Sequence, residues 1–134
     1  MIHLDTSFLV DLLRESRAGD DGPAHMRLNE FADERMAVSV YVACELHAGA
    51  ELAAAPEAER AKVDRLLDAL GVVGPGHAFP RTYAKVLAEL RRRGQTISTM
   101  DLLIAAAALE QGVPLLTRNA RDFDRVPGLV VMGY

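Results

Sequence analysis

The sequence predicts a three-layer α/β/α domain in which helices cover both faces of a parallel sheet of four to five short strands. Short apolar stretches alternate with helical stretches along the whole chain, which is the pattern of a parallel sheet. Half of the residues are hydrophobic and a quarter are charged, as in ordinary globular proteins. The 134 residues suffice for one substantial core but not for two, so residues 1–134 are expected to form a single domain.

The first half of the chain contains two strand-to-helix units followed by a further helix. Strands are predicted at Ile2–Leu4 and at residues 36–40 from their short apolar runs. Prolines suit the first turn of a helix and stop a preceding one, so Pro23 and Pro56 mark helix boundaries. The helices predicted in this half cover residues 8–13, 24–33, 41–54 and 57–70.

The second half continues the alternation. Residues 72–73 form either a minimal strand or an extended connector, and the apolar residues 115–117 and 129–132 are predicted as strands. A helix is predicted over residues 78–93 and another over residues 101–111. Gly94 and Gly112 are suited to end these two helices, and Ser98 is suited to begin the second.

Composition and charge exclude several classes of protein. Cys44 is the only cysteine, so neither a disulfide nor a Cys/His zinc site is expected, and the cytoplasm is the expected compartment. The longest apolar stretch, residues 102–109, is far shorter than the roughly 20 residues that span a bilayer. A net charge of −4 argues against binding of nucleic acid through a broad basic face. That objection weakens if several carboxylates hold metal cations.

Polar side chains are expected to converge at one edge of the sheet. Asp5 follows the first strand, Asp101 lies in the first turn of its helix, and Asn119 and Asp122 follow the strand at residues 115–117. In parallel sheets the functional crevice lies outside the carboxyl ends of the strands, where loops and helix N-termini meet. Three separate segments therefore deliver polar groups to the same crevice.

Glu45 is expected on an apolar, inward side of its helix. Helical spacing surrounds it with apolar residues, among them Tyr41, Ala48 and Leu52. A carboxylate in such surroundings is costly unless it pairs with a buried arginine or binds a metal.

Each acid also has a purely structural interpretation. Asp5 could cap the first helix, Ser98 and Asp101 match a capping box, and Asp122 could be an ordinary first-turn acid. These interpretations do not account for the convergence, because like charges at one sheet edge repel each other unless a cation compensates them. Since the ligands on offer are oxygens, Mg²⁺ or Mn²⁺ fits better than zinc.

Four segments together carry a family resemblance. They are Leu4-Asp5-Thr6-Ser7-Phe8-Leu9, then Ser39 with Glu45-Leu46, then Met100-Asp101-Leu102-Leu103-Ile104-Ala105-Ala106-Ala107, and finally Leu116-Thr117-Arg118-Asn119 with Asp122-Phe123. In order and spacing they resemble the PIN-domain family, specifically its VapC-type toxins, over the chain from Met1 to Val131. The resemblance implies a parallel sheet between helices, Mg²⁺-dependent endoribonuclease activity, a homodimer, and a cognate VapB-like antitoxin that covers or disrupts the active site.

The resemblance also implies roles for individual residues. Asp5 and Asp101 would be the principal metal ligands, with Glu45 completing the acidic site. Ser7, or Thr6, would hold the first acid in place through a hydroxyl hydrogen bond, at the substrate-binding edge of the site.

The fourth acidic position departs from the strict family pattern. Some members have an aspartate where this chain has Asn119. Asn119 could offer its carbonyl oxygen to a metal-bound water, or Asp122 could take the role if the segment turns helically. Arg118 and Arg121 are the nearest basic groups for RNA at the rim, whereas the arginines at 91–93 are interpreted as a solvated helix end.

The predicted reaction is hydrolysis of an RNA phosphodiester by a metal-activated water. A phosphotransfer domain also places an aspartate after its first strand, but its phosphatase version needs a second acid where Ser7 stands. The receiver version needs an acidic pair and a late lysine that are not evident. Two further alternatives remain open, a housekeeping RNA-processing PIN nuclease and a non-catalytic PIN-fold binding module.

Overall fold

The computed structural model describes residues 1–134 and contains one five-stranded sheet. Its strands are β1 (Ile2–Leu4), β2 (Met36–Ser39), β3 (Val72–Val73), β4 (Leu115–Leu116) and β5 (Val131–Met132). They lie in the order β3-β2-β1-β4-β5, and every neighbouring pair is parallel. The predicted parallel sheet is confirmed, and residues 72–73 form a strand rather than a connector.

Seven helices connect the strands. The helix predicted at residues 24–33 ends three residues early, because Phe31 leaves the helix and packs against the core with the guanidinium of Arg27 4.8 Å from its ring centroid. The short helix after β4 was expected only as one option for that segment. The helices are α1 (Thr6–Ala18), α2 (Pro23–Glu30), α3 (Val40–Glu51), α4 (Pro56–Leu70), α5 (Phe79–Arg92), α6 (Thr99–Gln111) and α7 (Ala120–Phe123).

The path of the chain through the sheet reverses once. From β1 the chain adds β2 and β3 on one side, then returns to place β4 and β5 on the other side of β1. Because parallel crossovers are right-handed, connections made before and after this reversal cover opposite faces of the sheet. The reversal also opens a crevice at the carboxyl ends of β1 and β4, which is where ligands bind in such sheets.

The core is a cluster of 23 buried hydrophobic residues centred on β1, β4 and α6. Helix α6 is apolar around most of its circumference and is buried along its middle, including Leu102, Ile104 and Ala105. Its first turn, with Asp101, is only half-buried and reaches the crevice. None of the helices has the length and apolar character needed to cross a membrane.

Helix α2 is capped from outside its own sequence. Its N-cap residue, Gly22, has no side chain to offer. The Glu15 carboxylate of α1 accepts the backbone N–H groups of Ala24 and His25 at 2.9 Å each, and the ring Nδ1 of His25 lies 2.9 Å from the same side chain. Burial alone would raise the pKa of Glu15, but these hydrogen bonds lower it to about 2.

The central strand carries a buried polar side chain without a partner. His3 pairs in register with Ala37 of β2 and Leu115 of β4, and 1% of it is exposed. Neither ring nitrogen makes a hydrogen bond. Burial, and secondarily the positive N-terminus, lowers the pKa of His3, so the ring is held in its neutral form.

Candidate active site

A polar cleft of about 330 Å³ lies at the carboxyl edge of the sheet. No hydrophobic residue lines it. Its walls come from segments far apart in the chain: the start of α1, the second turn of α3, the first turn of α6, and the turn after β4. The lining residues are Asp5, Thr6, Ser7, Glu45, Asp101, Arg118 and Asn119.

Asp5 is fixed by hydroxyl groups rather than by a helix cap. It occupies the N-cap position of α1, but its side chain makes no capping hydrogen bond. Only 4% of the residue is exposed. The hydroxyls of Ser7 and Thr117 donate to the same oxygen, Oδ2, at 2.8 and 2.7 Å. The capping interpretation of Asp5 is therefore wrong, and its other oxygen is left for a ligand in the cleft.

Thr117 belongs to a segment that carries the family resemblance, but no role in the site was predicted for it from the sequence. It is fully buried at the end of β4, and besides holding Asp5 it accepts the backbone N–H of Asn119 at 2.9 Å. Its hydroxyl also lies 3.2 Å from that of Ser7, which in turn accepts the backbone N–H of Arg118 at 3.1 Å. The two hydroxyls thus join the turns after β1 and β4. A threonine ending a buried strand was the available signal.

Glu45 lies at the edge of the cleft, not on an apolar inward face. The prediction of apolar surroundings is wrong, because Ala48 is exposed and Leu52 is 88% exposed. No arginine pairs with Glu45; the hydroxyl of Thr6 donates to its Oε1 at 2.6 Å. Thr6 therefore orients Glu45 while Ser7 orients Asp5. The buried face of α3 is formed by Val42, Ala43, Leu46 and Ala50.

Asp101 has both of the roles considered for it. The Ser98 hydroxyl accepts its backbone N–H at 3.2 Å, which confirms the predicted cap of α6, while the carboxylate lines the cleft. Burial raises the pKa of Asp101. The negative charge of Asp5 raises it further, a hydrogen bond with Ser98 lowers it, and the charges of Glu45 and Asp122 add to the rise. The carboxylates of the site therefore repel one another when no cation is bound.

The segment after β4 delivers some of its polar residues to the cleft and not others. Arg118 and Asn119 line it, whereas Asp122 and Arg121 are not among the lining residues. The amide Nδ2 of Asn119 donates to Asp122 at 2.9 Å, so its amide oxygen is the group left for a ligand. Asp122 acts on the site indirectly, through this hydrogen bond to Asn119 and through its charge, and it lies 3.7 Å from Arg125.

The donor set fits a hard cation held by few protein ligands. Every lining donor is an oxygen or a nitrogen of an amide or guanidinium, which disfavours zinc. No group of three or more His, Cys, Asp and Glu side chains is arranged to hold one metal ion. The three acids therefore do not form a closed cage. Mg²⁺ commonly binds through only one or two carboxylates and keeps several waters, so this open arrangement suits it.

Comparison with known proteins identifies the family. The family model for the PIN domain matches residues 2–129. The chain belongs to the PIN-domain family. Two curated relatives of this PIN-domain protein are the tRNA(fMet)-specific endonuclease VapC of Salmonella typhimurium and ribonuclease VapC2 of Haemophilus influenzae. The first is 32% identical over 80% of this chain and 82% of the relative. The second is 35% identical over 77% of each chain.

Solved structures show the same PIN fold in toxin–antitoxin complexes. VapBC2 from Rickettsia felis, bound to a promoter DNA fragment, superposes with a TM-score of 0.88 at 27% identity and covers 100% of this chain and 99% of that chain. DNA-bound VapBC from Salmonella typhimurium also has a TM-score of 0.88, at 28% identity, covering 98% of this chain and 96% of that chain. The resemblance drawn from the four sequence segments is confirmed, and the phosphotransfer alternative is excluded.

Proposed function

We propose that this PIN-domain protein is a Mg²⁺- or Mn²⁺-dependent endoribonuclease and the toxin of a type II toxin–antitoxin module. The observation that carries the proposal is the convergence of three carboxylates, from the N-cap of α1 and from α3 and α6, on one cleft without hydrophobic lining. Membership of the PIN family and similarity to VapC ribonucleases support it. Two of the acids, Asp5 and Glu45, are held by hydroxyl groups of the chain, so they are arranged before any ligand arrives.

The side chains that line the cleft have different proposed roles. Asp5 and Asp101 are the proposed principal ligands of the cation, with Glu45 completing the site and Asn119 rather than Asp122 offering a fourth oxygen. A bound divalent cation supplies an activated water and neutralises charge that develops on the phosphate. The hydroxyls of Thr6 and Ser7 are occupied by Glu45 and Asp5, so they orient the acids.

Arg118 is the proposed contact to the RNA backbone. It lines the cleft, its side chain is 53% exposed, and its positive charge lies beside the carboxylates where a phosphate would bind. Arg121 is exposed on α7, outside the cleft lining, and is proposed to contact RNA only beyond the cut site.

A protein partner belongs to the proposal. Three of the structures similar to this chain are VapBC complexes, and two of these three are bound to DNA. By analogy, we propose that this chain forms a homodimer and binds a VapB-like antitoxin that blocks the cleft.

Cutting of RNA by the purified protein, freed of any antitoxin, tests the enzymatic proposal. Initiator tRNA is the first substrate to try, because the Salmonella typhimurium relative is named for it. We expect cutting with Mg²⁺ or Mn²⁺, and loss of cutting in Asp5→Asn and Asp101→Asn without loss of fold. Asp64→Asn, which changes an exposed acid on α4, is the matched control and should cut normally. Full activity in both site variants would overturn the site assignment.

Growth of cells tests the toxin proposal separately. Expression of the wild-type chain alone should arrest growth, and expression of Asp101→Asn should not. Co-expression of a VapB-like antitoxin that binds the chain should restore growth. Harmless expression of an active nuclease would favour the housekeeping alternative.

A further inference from the structure

A second polar network adjoins the acidic cleft and is centred on Asp11 of α1. The side chain of Asp11 is only 13% exposed, and three donors reach it. Its Oδ1 accepts Arg118 Nη1 at 2.8 Å and Arg14 Nη1 at 3.2 Å, and its Oδ2 accepts the hydroxyl of Tyr134 at 2.5 Å. The predicted function gives Asp11 no role, yet it holds the one arginine that lines the cleft.

Tyr134, which follows β5, is fixed against the same wall. Its ring packs edge-on against the ring of Phe8, with centroids 5.0 Å apart and an interplanar angle of 89°. Phe8 is fully buried and directly follows Ser7, which orients Asp5. Burial and the hydrogen bond to Asp11 raise the pKa of Tyr134, so it remains a donor at neutral pH. The tyrosine thus ties Asp11 to the core beneath the cleft.

Arg118 is held at its backbone and at its guanidinium, and most of its N–H donors remain available. Its backbone N–H donates to the Ser7 hydroxyl, and its guanidinium donates to Asp11 through Nη1. A guanidinium carries five N–H donors in a rigid planar fork, so the bond to Asp11 leaves most of them available. The half-exposed fork faces an acidic cleft in which a phosphate would lie next to a cation.

We propose that Asp11 and Tyr134 are positioning residues that aim Arg118 at a phosphate of the RNA bound in the cleft. The inference rests on the proposed ribonuclease function. An unrestrained arginine loses its rotamer freedom when it binds a phosphate, and a pre-positioned one has already lost it. Asp11 therefore favours RNA binding although its own charge repels the phosphate. Tyr134 supports Asp11 by satisfying the oxygen that Arg118 does not use.

Binding of a fluorescent single-stranded RNA oligonucleotide, measured by anisotropy in EDTA, tests the inference without requiring catalysis. We expect Arg118→Ala to weaken binding about tenfold and to lower the slope of log K against log salt by about 0.7. Asp11→Ala should weaken binding several-fold despite making the protein less negative. Asp11→Asn, which keeps an acceptor, and Tyr134→Phe, which keeps the ring on Phe8, should lie between these values and wild type.

A matched control distinguishes the positioning of Arg118 from the effect of removing one negative charge. Glu51→Ala also removes one negative charge and releases an arginine, Arg60, but on the exposed surface of α3 and α4. It should bind RNA as wild type does, or slightly more tightly. A double-mutant cycle completes the test, since Asp11→Ala should add nothing further in an Arg118→Ala background. In the cutting assay the same variants should raise KM more than they lower kcat.

Two results would overturn the inference. One is RNA binding by Asp11→Ala as tight as wild type or tighter, which would mean that Asp11 restrains the charge of Arg118. The other is full additivity in the double-mutant cycle. Either result leaves the proposed function standing if wild type cuts RNA and Asp101→Asn does not. If wild type does not cut RNA but Asp11→Ala still weakens RNA binding, only the nuclease proposal is overturned.

Discussion

At the scale of single residues, the groups that make the cleft reactive also make it costly to fold. Asp101 lies half-buried near Asp5 and Glu45, and its pKa is raised first by burial and then by the charge of Asp5, so its ionised form is destabilised in the folded protein. Activity and stability therefore oppose each other at this position.

Asp101→Asn should stabilise the metal-free protein at neutral pH. A raised folded-state pKa means that the folded protein binds more protons than the unfolded one between the ordinary value of 3.8 and the raised value. The contribution of this carboxyl to stability therefore falls as pH rises through that window, and the full cost is present above it. Urea unfolding in EDTA should give a larger free energy of unfolding for the variant than for wild type at pH 7, and this difference should disappear towards pH 3.5. A less stable variant at pH 7 would contradict the prediction.

His3→Val should also stabilise the fold, by about 1 kcal/mol, because it removes two buried nitrogens that have no partner. The lowered pKa adds a pH effect. The folded ring stays neutral while the unfolded ring protonates below its ordinary value of 6.5, so wild-type stability is lost as pH falls below 6.5. Thermal unfolding should show that Tm falls less between pH 7.5 and pH 5.5 in the variant than in wild type. An equal loss in both proteins would assign the pH effect to other groups.

The sequence predicts some site residues and misses others for a physical reason. Asp5 and Asp101 follow from the ends of a strand and the start of a helix, which local patterns mark. Thr117 and Asp11 act through hydrogen bonds to residues more than 100 positions away in the chain. Such partners depend on how β1 and β4 align, and no local pattern encodes that alignment. Glu45 was found through surroundings that the structure does not have.

At the scale of helices and strands, element types were easier to predict than element ends. The strands and the six longer helices all appear where apolar spacing placed them. The ends differ where a tertiary contact decides, as at Phe31, which leaves α2 to pack on the core. Helix α2 is short and depends on α1 for its cap, because Gly22 cannot provide one.

Glu15→Gln should weaken the junction of α1 and α2. The amide keeps one acceptor but loses the charge that favours a helix N-terminus. The Glu15 pKa of about 2, against an ordinary 4.5, means that its contribution is complete above pH 4.5 and is lost as pH falls towards 2. Hydrogen exchange of the Ala24 and His25 amides should be faster in the variant at pH 6, with the difference shrinking at pH 3. Unchanged exchange at pH 6 would show that the cap is dispensable.

At the scale of the whole molecule, the site exists only where the two halves of the sheet meet. Cation binding should therefore stabilise the entire fold, since the ligands are brought together only in the folded state. Addition of Mg²⁺ at ten times its dissociation constant should raise stability by about 1.4 kcal/mol, seen as a rise of a few degrees in Tm. Asp5→Asn should show little or no rise, while Asp64→Asn should behave as wild type. A full rise in Asp5→Asn would place the cation elsewhere.

The reversal of the chain path between β3 and β4 divides the cleft between two stretches of sequence. Asp5 and Glu45 precede the exposed loop at residues 74–76, and Asp101 and Arg118 follow it. A chain cut in that loop would give two fragments, neither of which carries a complete set of cleft residues. The harmful activity of the intact protein could then be produced as two inert pieces and switched on by bringing them together, which would make this fold suitable for a split reporter.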